Sequence, residues 1–235
     1  MHRAGQGQVE GNCGCAKRVA WSRDPVLAHQ VVEPRLVAVR STWLWTSVGD
    51  DAVCFHIDPS RSAEAARTLF GGLRAGTVIV CDRYSAYKKL ARLLGGMVVL
   101  QFCWSHMRRD FIQCAAGQVD LARWCEAWLE RIAAIYRLNE ARLDCHSPGM
   151  ERQSDAFDAA QGALEAALDD MFARAGRELA GLPDDAREAK ALRSLANHRE
   201  GLSVFVDRPR TPMDNNLAYA DIGILPRKTS SARWR

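Results

Sequence analysis

The stretch V-I-V-C-D-R-Y-S-A-Y, residues Val78 to Tyr87, decides how this chain is read. With Thr77 before it, the β-branched run ending at Cys81 predicts a short strand covered on both faces. Asp82 ends that run, and Ser85 opens a pattern that predicts a helix to Leu94. An acid at a strand end is either a water-facing terminator or a metal ligand for chemistry on a nucleic acid. Further along, Met97 to Phe102 predicts a second strand, running into Q-F-C-W-S-H-M-R-R-D-F at Gln101 to Phe111.

Towards the N-terminus, W-L-W-T-S-V at Trp43, Gly49-Asp50-Asp51, then A-V-C-F-H-I predict a hairpin, since Gly and Asp tolerate left-handed backbone. Asp58-Pro59-Ser60 closes its second strand, and Ser62 caps a helix whose apolar face includes Ala65, Leu69 and Phe70. The order hairpin, helix, strand, helix, strand predicts a mixed sheet with helices on its faces and functional residues where strands give way to loops. Before residue 40 the pattern is poorly legible, and a strand is expected only over Val31 to Val39.

Beyond Phe111 the period becomes helical. Leu121, Trp124, Cys125, Trp128, Ile132, Ile135 and Tyr136 form one apolar stripe, and Phe157, Leu164, Leu168, Met171 and Leu179 form another. His146-Ser147-Pro148-Gly149 separates them, so two antiparallel helices are expected. A third run spans about Asp185 to Val206 and ends at the prolines Pro209 and Pro212.

Composition bounds the class. With 48% apolar residues the chain can bury a full core, and 32 basic against 28 acidic residues (+4) permits nucleic-acid binding without requiring it. The eight cysteines are scattered, several inside apolar runs, which predicts a reduced cytoplasmic protein rather than a secreted disulfide scaffold. No apolar run approaches the ~20 residues that span a bilayer, so no membrane partner is expected.

Each candidate has two readings. Cys103 and His106 have the spacing of half a zinc site, but no second pair stands at a distance to complete it. Arg108 and Arg109 suit either a solvated helix face or phosphate contacts. Trp43, Trp45, Trp124 and Trp128 read as core. Asp214-Asn215-Asn216 opens a last helix with Asp214 as its cap, and Arg227-Lys228 is a basic pair.

Taken together, these segments resemble the transposases of the insertion sequence 66 family. The matching residues are W-L-W-T-S-V at Trp43, D-P-S-R-S-A at Asp58, V-C-D-R-Y-S-A-Y at Val80, F-C-W-S-H-M-R-R-D-F at Phe102, M-D-N-N-L-A at Met213 and P-R-K at Pro226. The resemblance implies an α/β ribonuclease-H-like mixed sheet with an α-helical insertion. It also implies DNA transposition, in which three carboxylates hold two magnesium ions ~3.5–4 Å apart for DNA strand cleavage and transfer. Asp82 matches the family's second acid, making it the catalytic and Mg2+-binding residue. His106, Arg108, Arg109, Asn215, Asn216, Arg227 and Lys228 are the residues expected at the nucleic acid. Partners implied are DNA, as transposon ends and target, and copies of the chain or other transposase subunits.

The chain departs from the family at the other two acids. Where the family's last helix carries the third, this sequence has Ala218, Tyr219 and Ala220, and tyrosine is neutral near pH 7 and a poor magnesium ligand. Asp221 is turned ~200° around a helix from that place, and Asp214 is ~140° away. The first acid belongs to an Asp-Glu-Thr strand, where this chain reads W-S-R-D-P-V. A coding sequence GAC GAG ACC CGG TGG, read two bases out of frame, gives Arg-Asp-Pro-Val, the residues Arg23 to Val26. Residues 1–40 are therefore expected to be frame-shifted sequence, with Asp24 an acid by coincidence. The expected organisation is a ribonuclease-H-like core over 41–111, a helical insertion over 112–207, and the core's C-terminal helix and basic tail over 208–235. The expectation is a truncated, degenerate transposase, with a non-catalytic DNA-binding or transposase-binding remnant as the alternative. A nuclease using Asp82 with Asp50, Asp51 or Asp110 ranks below both.

Overall fold

A computed structural model of the chain describes residues 26–32, 43–49, 52–70, 72–150 and 153–216. Among them five strands form one sheet: β1 (Val26–Val32), β2 (Trp43–Val48), β3 (Val53–Asp58), β4 (Thr77–Cys81) and β5 (Val98–Phe102), in the order β3-β2-β1-β4-β5. The first three are antiparallel, whereas β4 runs parallel to β1 and β5 parallel to β4. A tight turn closes the β2–β3 hairpin, Gly49 N donating to Ala52 O at 2.8 Å. Parallel strands need a crossover instead, supplied between β4 and β5 by helix α2 (Ser85–Leu93).

Helix α1 (Ala63–Phe70) joins β3 to β4, and its start is fixed by Ser62 Oγ, which accepts from Ala65 N at 3.3 Å. Trp45 of β2 meets Tyr87 of α2 edge to face, centroids 6.1 Å apart, seating the helix on the sheet. All five residues of β4 are buried, as expected of a strand covered on both faces.

The helical part comprises α3 (Trp104–Ala115), α4 (Val119–Asp144), α5 (Asp155–Ala180), α6 (Arg187–Asn197) and α7 (Arg199–Asp207). α4 and α5 are antiparallel. Trp124 and Trp128 near the start of α4 both donate their indole N–H to Glu178 Oε2 near the end of α5, at 2.9 and 3.0 Å. Near the other end, Arg142 Nη1 donates to Gln161 Oε1 at 2.8 Å. Phe111 of α3 stacks on Trp128 with centroids 5.4 Å apart, so sheet and helices share one hydrophobic core. Among the described residues no helix is long and apolar enough to cross a membrane.

Two elements differ from expectation. The strand expected over Val31–Val39 runs over Val26–Val32, and residues 33–42 lie outside the described residues. The single run expected over 185–206 is two helices, broken at His198, whose φ of −115° is not helical. The break lets α7 lie along β5. There Gly201 approaches Phe102 so closely that an added Cβ would sit 2.3 Å from its ring carbon Cδ2.

Candidate functional site

The parallel strands β4 and β5 end side by side, and Cys103 N donates to Cys81 O at 2.8 Å, carrying their pairing one step further. Asp82 therefore emerges next to the start of α3. Its Oδ1 accepts from Tyr84 N at 2.9 Å, fixing the turn from strand into α2.

α3 opens on Trp104, whose backbone N–H has no partner within its own helix. Met213 O accepts it at 3.0 Å, which draws the 213–216 segment onto the first turn of α3. Asp214 is then the centre of a polar cluster. Its Oδ2 accepts from Tyr136 Oη at 3.1 Å and from Ser105 Oγ at 3.4 Å, and its Oδ1 from Asn216 N at 3.0 Å. Asn216 Nδ2 donates in turn to Ser105 Oγ at 3.2 Å, while Asn215 is buried at 1% exposure. Burial, with the Asp214 carboxylate beside it, pushes the Tyr136 hydroxyl well above its usual pKa, so it acts as a donor.

His106, half-buried on the first turn of α3, has an Nδ1 with no hydrogen-bond partner. Burial lowers its pKa, the negative charge of Asp82 opposes this, and Arg109 and Arg83 add to the lowering. The imidazole is neutral near pH 7. Arg108 and Arg109 are exposed on α3. The sequence motifs thus bring Asp82, His106, Asn215 and Asn216 to one end of the sheet, with the two arginines on the adjoining helix. Asp24, Tyr219, Asp221, Arg227 and Lys228 lie outside the described residues.

The alternatives fare as follows. Burial pushes the Cys103 thiol up to about 11, so it is protonated near neutral pH. Among the described residues, no group of three His, Cys, Asp or Glu side chains stands close enough to hold a metal ion. Asp110 is engaged by Arg83 Nη2 at 2.9 Å, while Asp50 and Asp51 lie outside the described residues. The flanking Gly49 and Ala52 lie on the β2–β3 turn, and β2 is two strands away from β4 in the sheet.

Sequence reasoning passed over several residues that build this region. Arg83, inside the decisive stretch, ties β4 to α3 through Asp110, His106 O at 3.2 Å and the Met107 sulfur at 3.0 Å. Tyr136 looked like core because its spacing matched the apolar stripe, and nothing local marks its distant partner. Arg142 is fully buried, and its guanidinium caps the C-terminal carbonyls of α7, Phe205 O at 3.1 Å and Val206 O at 2.8 Å.

A mixed α/β fold, with an acid at the end of a central strand and a polar segment docked beside it, defines an α/β domain with a strand-end site. The family model for the transposase IS66 family matches residues 28–228, and the chain belongs to that family. Two proteins of Sinorhizobium fredii are similar. The uncharacterized protein y4qI is 26% identical over 189 residues, covering 74% of this chain and 33% of its own length. The uncharacterized protein y4jD is 27% identical over 177 residues, with the same coverage of 74% and 33%. The chain thus spans about a third of the length of these relatives.

Proposed function

We propose that this chain carries the catalytic fold of a DNA transposase, acting in the cytoplasm on transposon ends and target, in a form that has lost strand cleavage and transfer. The observation that carries the reading is that Asp82, at the end of β4, and the Asp214–Asn216 segment both lie beside the start of α3. Family membership supports DNA as the substrate. The sheet order β3-β2-β1-β4-β5, an antiparallel meander extended by two parallel strands, supports a ribonuclease-H-like core that takes in β1 (Val26–Val32) together with 41–111 and 208–235, with the helices of 112–207 inserted.

Magnesium is the metal this chemistry uses, and carboxylates are its preferred protein ligands. Asp82 fits such a role. The described residues do not complete a set for two ions, and the sequence has Tyr219 where the family's third acid stands. Asp82 is the surviving acid of that site, too little by itself to position two metals. The exposed Arg108 and Arg109 favour a second reading, a remnant that holds DNA or another transposase subunit without cutting.

The test is nicking of supercoiled DNA with magnesium or manganese, with Asp82→Ala as control. No nicking above the control is expected. Robust nicking that disappears in Asp82→Ala would overturn the loss of catalysis and leave the transposase reading standing. Salt-dependent DNA retention without nicking is the outcome the second reading requires.

A further inference from the structure

Two arginines stand near the strand end that bears Asp82, and they are in opposite states. Arg83 is committed to Asp110, to His106 O and to the Met107 sulfur. Arg61, just before α1, has a guanidinium lying over two aromatic rings, 4.8 Å from the Trp43 centroid and 4.2 Å from that of Tyr84. Its Nε is buried with no hydrogen-bond partner, whereas its terminal nitrogens are not among the buried orphans. Among the described residues no carboxylate pairs with it. Asp58, three residues before it, accepts from Ser60 N at 2.6 Å and faces His56 Nε2 at 3.4 Å.

The sheet explains why this cation is near Asp82. β2 begins, and β3 ends, at the same edge where β4 ends, and Trp43 pairs with Asp58 there. Tyr84 then bridges the two groups: its backbone N–H binds Asp82 Oδ1 at 2.9 Å, and its hydroxyl donates to Arg61 O at 3.0 Å. A guanidinium packed against two rings, with no acid paired to it among the described residues, retains its in-plane fork for an incoming anion. A phosphate suits that fork because two oxygens can bind side by side.

We propose that Arg61, clamped by Trp43 and Tyr84, is a contact for a DNA backbone phosphate at the mouth of the Asp82 site. This assignment rests on the DNA-binding reading above. It adds a residue from the β3–α1 connection to a surface otherwise read from α3 and the 213–216 segment. It also gives the Trp43 and Tyr84 rings a positioning role, as the surfaces against which the guanidinium lies.

The experiment is a salt titration of a fluorescent DNA duplex binding to the chain, followed by anisotropy, for the wild type and Arg61→Gln. In the variant, the slope of log affinity against log salt falls by about one and binding weakens alike on unrelated sequences. In parallel, phenylglyoxal modification of wild-type Arg61, read by peptide mass spectrometry, slows when DNA is present. That measurement decides the matter if Arg61→Gln does not fold. Wild-type binding with an unchanged slope in a folded Arg61→Gln, or modification at the same rate with and without DNA, overturns the role of Arg61 and leaves the DNA reading intact. No wild-type binding at any salt overturns both.

Discussion

His198 shows how one side chain ties pH to stability in this molecule. Its Nδ1 donates to Ser194 O at 2.6 Å, so Nε2 is the acceptor for Lys88 Nζ, also at 2.6 Å. Burial lowers the His198 pKa; the Ser194 carbonyl opposes this, Lys88 and Arg83 add to it, and Asp110 opposes it again. Lys88 is lowered as well, chiefly by burial and then by Arg83. A histidine whose folded pKa lies below its unfolded value near 6.5 takes up its proton first in the unfolded chain. Its contribution to stability is complete above that value and is lost as pH falls from there through the lower folded pKa. Between about pH 7.5 and 5.5 the melting temperature of the wild type should therefore fall further than that of His198→Gln. Equal falls would show that the Lys88–His198 contact is not linked to folding. None of this was legible in the sequence, where Lys88 and His198 lie 110 residues apart and neither belongs to a recognisable motif. Asp82 was legible for the opposite reason: the apolar run before it and the helix pattern after it are local, and together they define a strand end.

At the scale of elements, the junction of β5 and α7 leaves no room for a side chain at Gly201. Gly201 faces the Phe102 ring, Gln101 Oε1 accepts from Phe205 N at 2.9 Å, and Trp104 Nε1 donates to Leu202 O at 2.8 Å. Gly201→Ala would place a methyl inside the ring's contact distance, so α7 must withdraw or Phe102 must leave its rotamer. A destabilisation of about 1–3 kcal/mol is expected in urea unfolding. Combining it with Phe102→Leu should recover part of that loss, and strict additivity of the two changes would show that they do not meet. The hairpin, α1, α2, β4 and β5 were readable because period, caps and turn residues all lie within each segment. The break between α6 and α7 was not. Neither glycine nor proline stands at His198, and the helix bends there to satisfy contacts with a strand about a hundred residues earlier. The first strand begins at Val26, ahead of the expected Val31, in a stretch without a clean apolar alternation.

Over the whole molecule, β3 closes one side of the described sheet, and its alternate residues Val53, Phe55 and Ile57 are exposed at 41%, 57% and 69%. An edge strand with an apolar outer row invites pairing with another chain. Phe55→Lys should lower light scattering of concentrated protein on mild heating while leaving the urea midpoint nearly unchanged. Equal scattering would mean that association starts elsewhere. The sheet's order was beyond the sequence, because alternation specifies which face is buried and says nothing about which strand lies beside which. The candidate site was legible only as separate pieces, since Asp82, His106 and Asn216 are brought to one end of the sheet by backbone bonds between distant segments. The Tyr136–Asp214 hydrogen bond gives that meeting a further meaning. Tyr136 belongs to α4 and Asp214 to the segment docked on α3, so excising residues 112–207, the insertion proposed above, would remove a fastener along with the helices. A shortened chain built that way would keep every strand and the bonds from Trp104 and Ser105, yet leave the Asp214 carboxylate without its tyrosine donor, which makes the boundary in sequence a poor place to divide the molecule.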